Sequence, residues 1–378
     1  MRAFCWLITL AFLAQGEEDL TVRGRWIFGS KGQPHDYSCD SLRFGLQPSG
    51  LAWDGEVLWG VSDQSSSCPG CLFSLRPGPG GSSRDALLLD DDGIRIVHQG
   101  RELVVDGEGI TLLDNSADEL VVAVVLEEGY ERHIGWAADD RSPGAALVIR
   151  VNRVSRAATV SAIWRFELPA EKTVRPYKGD RNRRFEGIAV DRSSGRGYLA
   201  YEQDENGSPR LFTFVLPTSQ PSPGTEELSV LLEEVSFDID SITLGTPGLA
   251  KNFNDLAFQS PNRLLVLCRD RELLLVLDLI DAKTAKLASQ MPLDLRSPLN
   301  QAIEWTSPEG IAVAEETNTF FIVSDPDPRC GGNWKAATTS ELDTRQRLAE
   351  AYLFSQFVPL LFELELSSLG ENFPVKVQ

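Results

Sequence analysis

Residues 185–202 read FEGIAVDRSSGRGYLAYE. A short apolar strand opens on Glu186-Gly187, a polar turn carries Gly195, and a second strand runs up to the carboxylate of Glu202. The phrase recurs in degraded form as SGLAWDGEVLWGVSD from Ser49, GEGITLLD around Glu108, FNDLAFQSPNRLLVLCRD around Asn254 and PEGIAVAEETNTFFIVSD around Glu309. Aligned on Ser49, Glu108, Glu186, Asn254 and Glu309, the copies return at intervals of roughly 55–80 residues, the span of a propeller blade with its loops. Ile188 and Val190 alternate with Gly187 and Ala189, so the strand is apolar on both faces. A propeller blade needs this because it is packed between two neighbours, whereas a free-standing sandwich shows a polar face.

The predicted fold is therefore an all-β propeller. Five repeats are visible. A sixth blade is expected from residues 220–250 or from the two ends of the chain, making a six-bladed ring. One helix is expected near residues 338–355, from a Ser/Glu start followed by the spacing of Leu348, Ala351 and Tyr352.

The composition agrees with one large exported domain. The chain has 378 residues, 42% hydrophobic, with a formal net charge of −19. That surface repels nucleic acid and attracts cations where its carboxylates converge. Arg2 followed by the apolar run Phe4–Leu13 and the small residues Ala14 and Gly16 reads as a signal peptide cleaved after Gly16. The run is too short to span a bilayer, and no later run is long enough. The reading is thus a leader over 1–16 and a single propeller over 17–378, secreted or periplasmic, with no integral membrane segment in the mature chain. Cys39, Cys68, Cys71, Cys268 and Cys330 remain, and their pairing is open. Cys68-Pro-Gly-Cys71 sits in a Ser/Gly/Pro loop and reads as a staple rather than a redox pair.

In an antiparallel hairpin the start of the first strand meets the end of the second. Glu186 with Glu202, Glu108 with Glu127, Glu309 with Asp325, and Asp63 in the first copy are therefore expected at one mouth of the central channel. The fourth copy breaks the pattern, with Asn254 at the first position and Cys268 taken as the second. Converging carboxylates repel one another unless some are protonated or a cation lies among them. Oxygen ligands without clustered His or Cys favour Ca²⁺. The three histidines, His35, His98 and His133, form no metal-spaced pair, and no Gly-x-Ser-x-Gly elbow is present. Lys178, Arg181, Arg183 and Arg184 precede Glu186 and are expected over the same mouth, where Arg183 and Arg184 would suit an anionic group.

Taken in order, these phrases resemble the esterase-like phytase family of β-propellers, which is related to the SdiA-regulated propellers. The likeness covers most of residues 45–325 and the closing strand. It implies a secreted or periplasmic propeller hydrolysing phosphate or other esters with calcium. Glu108, Glu186, Glu202, Glu309 and Asp325 match the acidic motif positions, and Asn182 matches the Asn before Phe-Glu-Gly. Where the family pattern has Glu-Arg, this chain has Cys268-Arg269. Two functions follow as expectations. One is a calcium-dependent ester hydrolase, with Glu186 or Glu202 holding the metal and Arg183 or Arg184 the anionic group of a small substrate. The other is a non-catalytic exported propeller that binds a ligand or a protein through the same face.

Overall fold

The computed structural model describes residues 20–28, 46–62, 71–77, 86–104, 106–126, 139–179, 184–217, 226–244, 251–296, 307–325 and 359–366. Two strands come first, β1 (Leu20–Arg23) and β2 (Arg25–Phe28). Blade 1 is β3 (Pro48–Trp53), β4 (Leu58–Ser62), β5 (Leu72–Leu75) and β6 (Ala86–Ile94). After β7 (Ile96–His98) and β8 (Arg101–Glu102), blade 2 is β9 (Gly107–Asn115), β10 (Glu119–Leu126), β11 (Gly144–Asn152) and β12 (Ala158–Glu167). Blade 3 is β13 (Phe185–Asp191), β14 (Arg196–Tyr201) and β15 (Arg210–Val215), followed by β16 (Glu226–Leu231) and β17 (Glu233–Glu234). Blade 4 is β18 (Asp255–Gln259), β19 (Arg263–Cys268), β20 (Leu273–Asp281) and β21 (Thr284–Arg296). Blade 5 is β22 (Pro308–Ala314), β23 (Thr319–Ser324) and β24 (Leu360–Glu365).

The fold is a β-propeller. Its first strands form a closed cycle: β3 packs on β9, β9 on β13, β13 on β18, β18 on β22, and β22 on β3. Each of the five visible repeats is one inner hairpin of that ring. The sixth blade has no inner hairpin among the described residues. Its expected sources serve instead as outer strands. Within 220–250, β16 pairs parallel to β12 and β17 pairs antiparallel to β15. Near one end of the chain, β1 pairs with β21, while β2 lies between β24 and β6 and joins blades 5 and 1 into one eight-stranded sheet. The helix expected near 338–355, the leader at 1–16, and Cys39, Cys68 and Cys330 lie outside the described residues. Cys71 is buried in blade 1.

The apolar side chains fall into one cluster at each blade-to-blade interface. Trp59 and Val61 meet Val122 and Val124 between blades 1 and 2. Phe166 meets Phe185 and Phe214 between blades 2 and 3. Blade 4 shows the two-residue period directly: Leu264 and Val266 face Tyr198 and Ala200 of blade 3, while Leu265 and Leu267 face Phe320 and Ile322 of blade 5. Phe321 and Val323 in turn meet Leu51 and Leu58 of blade 1. Burial on both sides explains why these strands are nearly continuous apolar runs.

At the axis the backbones nearly touch. A Cβ on Gly109 would lie 2.7 Å from Ile188 N, and one on Gly187 would lie 2.6 Å from Asp255 Cα. The recurrent glycine is therefore set by space: the ring closes only where the first strands carry no side chain on that line. Beyond this layer, a cavity of about 130 Å³ follows the axis, lined by residues of all five inner strands from Leu51 through Ile110, Ala189 and Leu256 to Ile311.

Candidate functional site at the channel mouth

In blades 1, 2, 3 and 5 the polar residue opening the motif sits on a β-bulge. The ladder slips between Pro48 and Gly50, between Phe185 and Gly187, and between Pro308 and Gly310, leaving Ser49, Glu186 and Glu309 as the extra residues. The β9–β10 ladder slips at the same level, where Glu108 lies. A bulge re-aims a side chain that the pleat would otherwise direct at a neighbouring blade. Ser49, Glu108, Glu186, Asn254 and Glu309 are all nine-tenths or more buried.

The same ladders show which residue ends each second strand. Gly187 pairs with Ala200, two residues before Glu202, and Gly310 pairs with Val323, two residues before Asp325. Asp255 stands at the glycine position of blade 4 and pairs with Leu267. The residue equivalent to Glu202 is then Arg269, and Cys268 corresponds to Tyr201. This corrects the expectation by one position: blade 4 replaces the acid with a base rather than a thiol. Cys268 is fully buried, its Sγ 3.8 Å from Asn252 Oδ1, and burial pushes its thiol pKa up to about 11. It is a core residue.

Arg269 reaches across the mouth. One guanidinium nitrogen donates to Glu309 of blade 5, and Nη2 donates to Glu202 Oε1 of blade 3 at 3.2 Å. Burial alone would lower the Arg269 pKa, but Glu309, Glu202 and Glu186 outweigh it and hold it well above the ordinary arginine range. Burial raises the Glu309 pKa, against the downward pull of Arg269 and Ser307, whose Oγ donates to Glu309 Oε1 at 3.1 Å. Three carboxylates thus surround one guanidinium, and the cluster stays acidic.

Two asparagines complete the site. Asn252 Nδ2 donates to Glu202 Oε1 at 3.2 Å, and its Oδ1 accepts from Asp270 N at 3.1 Å. Asn254 Oδ1 accepts from Arg269 N at 3.1 Å. Asn254 Nδ2 is buried and finds no acceptor among the described residues. Leaving such a donor unpaired costs about 1–3 kcal/mol.

Asp255 lies one layer deeper. It is completely buried at the position where the other blades carry glycine. Its Oδ1 accepts from Leu256 N at 2.8 Å and its Oδ2 from Ile311 N at 2.8 Å, and the Leu51 amide also donates to it. One side chain therefore ties blade 4 to blades 5 and 1 across the axis, between the mouth and the cavity. Desolvation raises its pKa well above the usual carboxylate range, and the three amide donors oppose that rise.

Of the residues expected at the mouth, Glu186, Glu202 and Glu309 converge on Arg269. Glu108 is buried on the blade 2 inner strand. Asp325 N donates to Ser307 O at 2.9 Å, which sets Asp325 beside the residue that binds Glu309. Arg184 is buried, and its Nη1 donates to Pro143 O of blade 2 at 3.0 Å. Lys178 is exposed, its Nζ 4.8 Å from the ring centre of Tyr177. Asp63, Glu127, Arg181 and Arg183 lie outside the described residues. Sequence reasoning missed Arg269, Asn252 and Asp255. Asp255 carried a visible signal, since it breaks the recurrent glycine.

The carboxylates were expected to hold calcium. Among the described residues, no group of three or more acidic, His or Cys side chains has metal-binding geometry. Glu202 Oε1 accepts from Asn252 and Arg269, and Glu309 Oε1 accepts from Arg269 and Ser307. The described residues do not fit a calcium cage as they stand.

No protein-family model matches the chain, and no curated protein matches it. Among solved structures it is similar to a luciferin-regenerating enzyme, at 9% identity and a TM-score of 0.42 over 87% of this chain and 94% of that one. It is also similar to a hypothetical selenium-binding protein from Sulfolobus tokodaii, at 10% identity and a TM-score of 0.34 over 75% of this chain and 59% of that one. A gluconolactonase from Xanthomonas campestris matches at 10% identity and a TM-score of 0.33, over 75% of this chain and 85% of that one. At these values the likenesses carry no argument about chemistry.

Proposed function

We propose that this propeller is an exported hydrolase of phosphate or other esters, acting at the acidic mouth of its central channel, as its resemblance to the esterase-like phytases implies. One observation carries the reading: Arg269 is held among Glu186, Glu202 and Glu309, which come from two different blades. Burying charge at a channel mouth is costly for stability, and such clusters concentrate at functional sites. In this reading Glu186 takes a proton from the attacking water and returns it to the leaving alcohol, while Arg269 holds its carboxylates in place. General-base work of this kind contributes about 10²–10⁴-fold to rate.

Calcium enters only by displacing Arg269 from its carboxylates. Calcium or a chelator should therefore move the melting temperature of the wild-type protein little. Arg269→Gln, with the carboxylates released, should gain calcium-dependent stability. A large calcium shift in the wild-type protein would restore the metal reading.

A specific observation favours a non-catalytic binding propeller as the second reading: Glu202 and Glu309 both already accept from protein donors. Turnover of p-nitrophenyl acetate and p-nitrophenyl phosphate decides between them. Activity that drops at least a hundredfold in Glu186→Gln supports the hydrolase. No turnover above the uncatalysed rate leaves the binding module.

A further inference from the structure

At the motif position where blades 2, 3 and 5 present Glu108, Glu186 and Glu309, blade 4 presents an amide, Asn254. The orientation of that amide is fixed. Its Oδ1 receives the Arg269 N–H at 3.1 Å, so Nδ2 cannot take that place without setting donor against donor. Nδ2 is left buried, without an acceptor among the described residues, on the side chain that holds the backbone of Arg269. A glutamate here would offer only acceptor oxygens. The chain instead keeps one neutral donor among acids, ready for an oxygen brought by a ligand.

We propose that Asn254 Nδ2 binds the carbonyl oxygen of an uncharged carboxylic ester, and that the site selects such esters over phosphate monoesters. The inference rests on the hydrolase reading above. Charge makes the selection: three carboxylates against one guanidinium leave a negative mouth that repels a phosphate dianion. A neutral carbonyl oxygen meets the Asn254 donor without that repulsion. In the reaction, water oxygen bonds to the carbonyl carbon while its proton passes to Glu186. The carbonyl π pair moves onto oxygen, where Asn254 Nδ2–H stabilises the developing charge. Return of that pair breaks the bond to the alcohol oxygen, which takes the proton back from Glu186. Carboxylic acid and alcohol leave, and Glu186 is again a carboxylate.

The test uses the full chain and two variants. Asn254→Asp keeps the acceptor for Arg269 N–H and loses the donor. Asn254→Glu installs the residue that three other blades carry. Wild type should cleave p-nitrophenyl acetate at least tenfold more efficiently than p-nitrophenyl phosphate. Asn254→Asp should lose about a hundredfold or more in kcat of the folded fraction, the range for one oxyanion donor, with KM within about threefold. A merely structural role would leave kcat of the folded fraction intact. Preference for the phosphate ester, or an Asn254→Asp enzyme within threefold of wild type, overturns the proposal. If Asn254→Asp fails to fold, Asn254→Glu is judged by the same figures. Should both fail to fold, the ester preference of wild type alone decides. If wild type turns over neither ester, the hydrolase reading is what fails. Calorimetric binding of p-nitrophenyl acetate then judges Asn254: at least tenfold weaker binding by Asn254→Asp supports the contact, and equal or absent binding in both removes it.

Discussion

Blades 3 and 4 fold from the same phrase and differ where the axis is closest. Blade 3 presents Glu186, Gly187 and Glu202; blade 4 presents Asn254, Asp255 and Arg269 at the equivalent positions. In blade 3 the glycine lets backbones meet and both acids face the mouth. In blade 4 a carboxylate moves down one layer, a base takes the place of the second acid, and an amide takes the place of the first. The teaching is that a repeat can accumulate charge at one point only if one copy breaks ranks. Arg269 offsets the repulsion that the other copies create, and Asp255 clasps the amides of its neighbours. The symmetric part of the molecule builds the ring, and the asymmetric part makes the mouth tolerable.

Removing Arg269 should break this comparison most severely. Arg269→Met leaves Glu202 and Glu309 buried without their cation and is expected to cost about 3–5 kcal/mol, read from urea unfolding. A loss under 1 kcal/mol would mean that the carboxylates find other partners. Next, Asp255→Gly makes blade 4 like blade 3. It should lose roughly 1–3 kcal/mol, the penalty for a buried donor left unsatisfied, because the Ile311 and Leu51 amides lose their acceptor. Unchanged stability would show that water replaces the carboxylate there. The reverse test is Gly187→Ala, whose Cβ would meet the Asp255 backbone at 2.6 Å; an overpacking cost of about 1–3 kcal/mol should appear as a lower denaturation midpoint.

The smallest effect is in the pH profile. Glu309 binds its proton more tightly folded than unfolded, because burial raises its pKa. The folded state then carries more protons above the ordinary glutamate range, so this contribution is complete below that range and is lost as pH rises through the raised value. Glu309→Gln should flatten the fall in melting temperature as pH rises above the range of a free glutamate, about 4.3. A profile parallel to wild type would place the titration on another residue.

Much of this was legible. Apolar residues on both faces of Ile188–Val190 and its cognates, with the internal repeat, pointed to a propeller, because a free-standing sandwich shows a polar face. The Glu-Gly pairs marked the axis, and Glu186, Glu202 and Glu309 do converge. The blade count was less visible, since edge strands such as β16 and β17 look no different in sequence from a blade's own strands. What they pair with is decided in space. The one-residue difference between Cys268 and Arg269 was hidden for a similar reason. The bulge that shifts pairing by one in blade 3 leaves no mark in composition, so only the observed ladders align Arg269 with Glu202. Asp255 was readable as a broken glycine, yet nothing local says that its two oxygens would span three blades.

Strand β2 lies between β24 and β6, so residues 25–28 pair both with residues 360–361 and with residues 86–88. During synthesis, β2 is made before β6 and well before its antiparallel partner β24. Pairings so far apart in sequence are slow, since the entropy of closing the loop is lost before any contact forms. The seam between blades 5 and 1 therefore stays open until β24 has been made, and it closes only when β2 has found both of its neighbours.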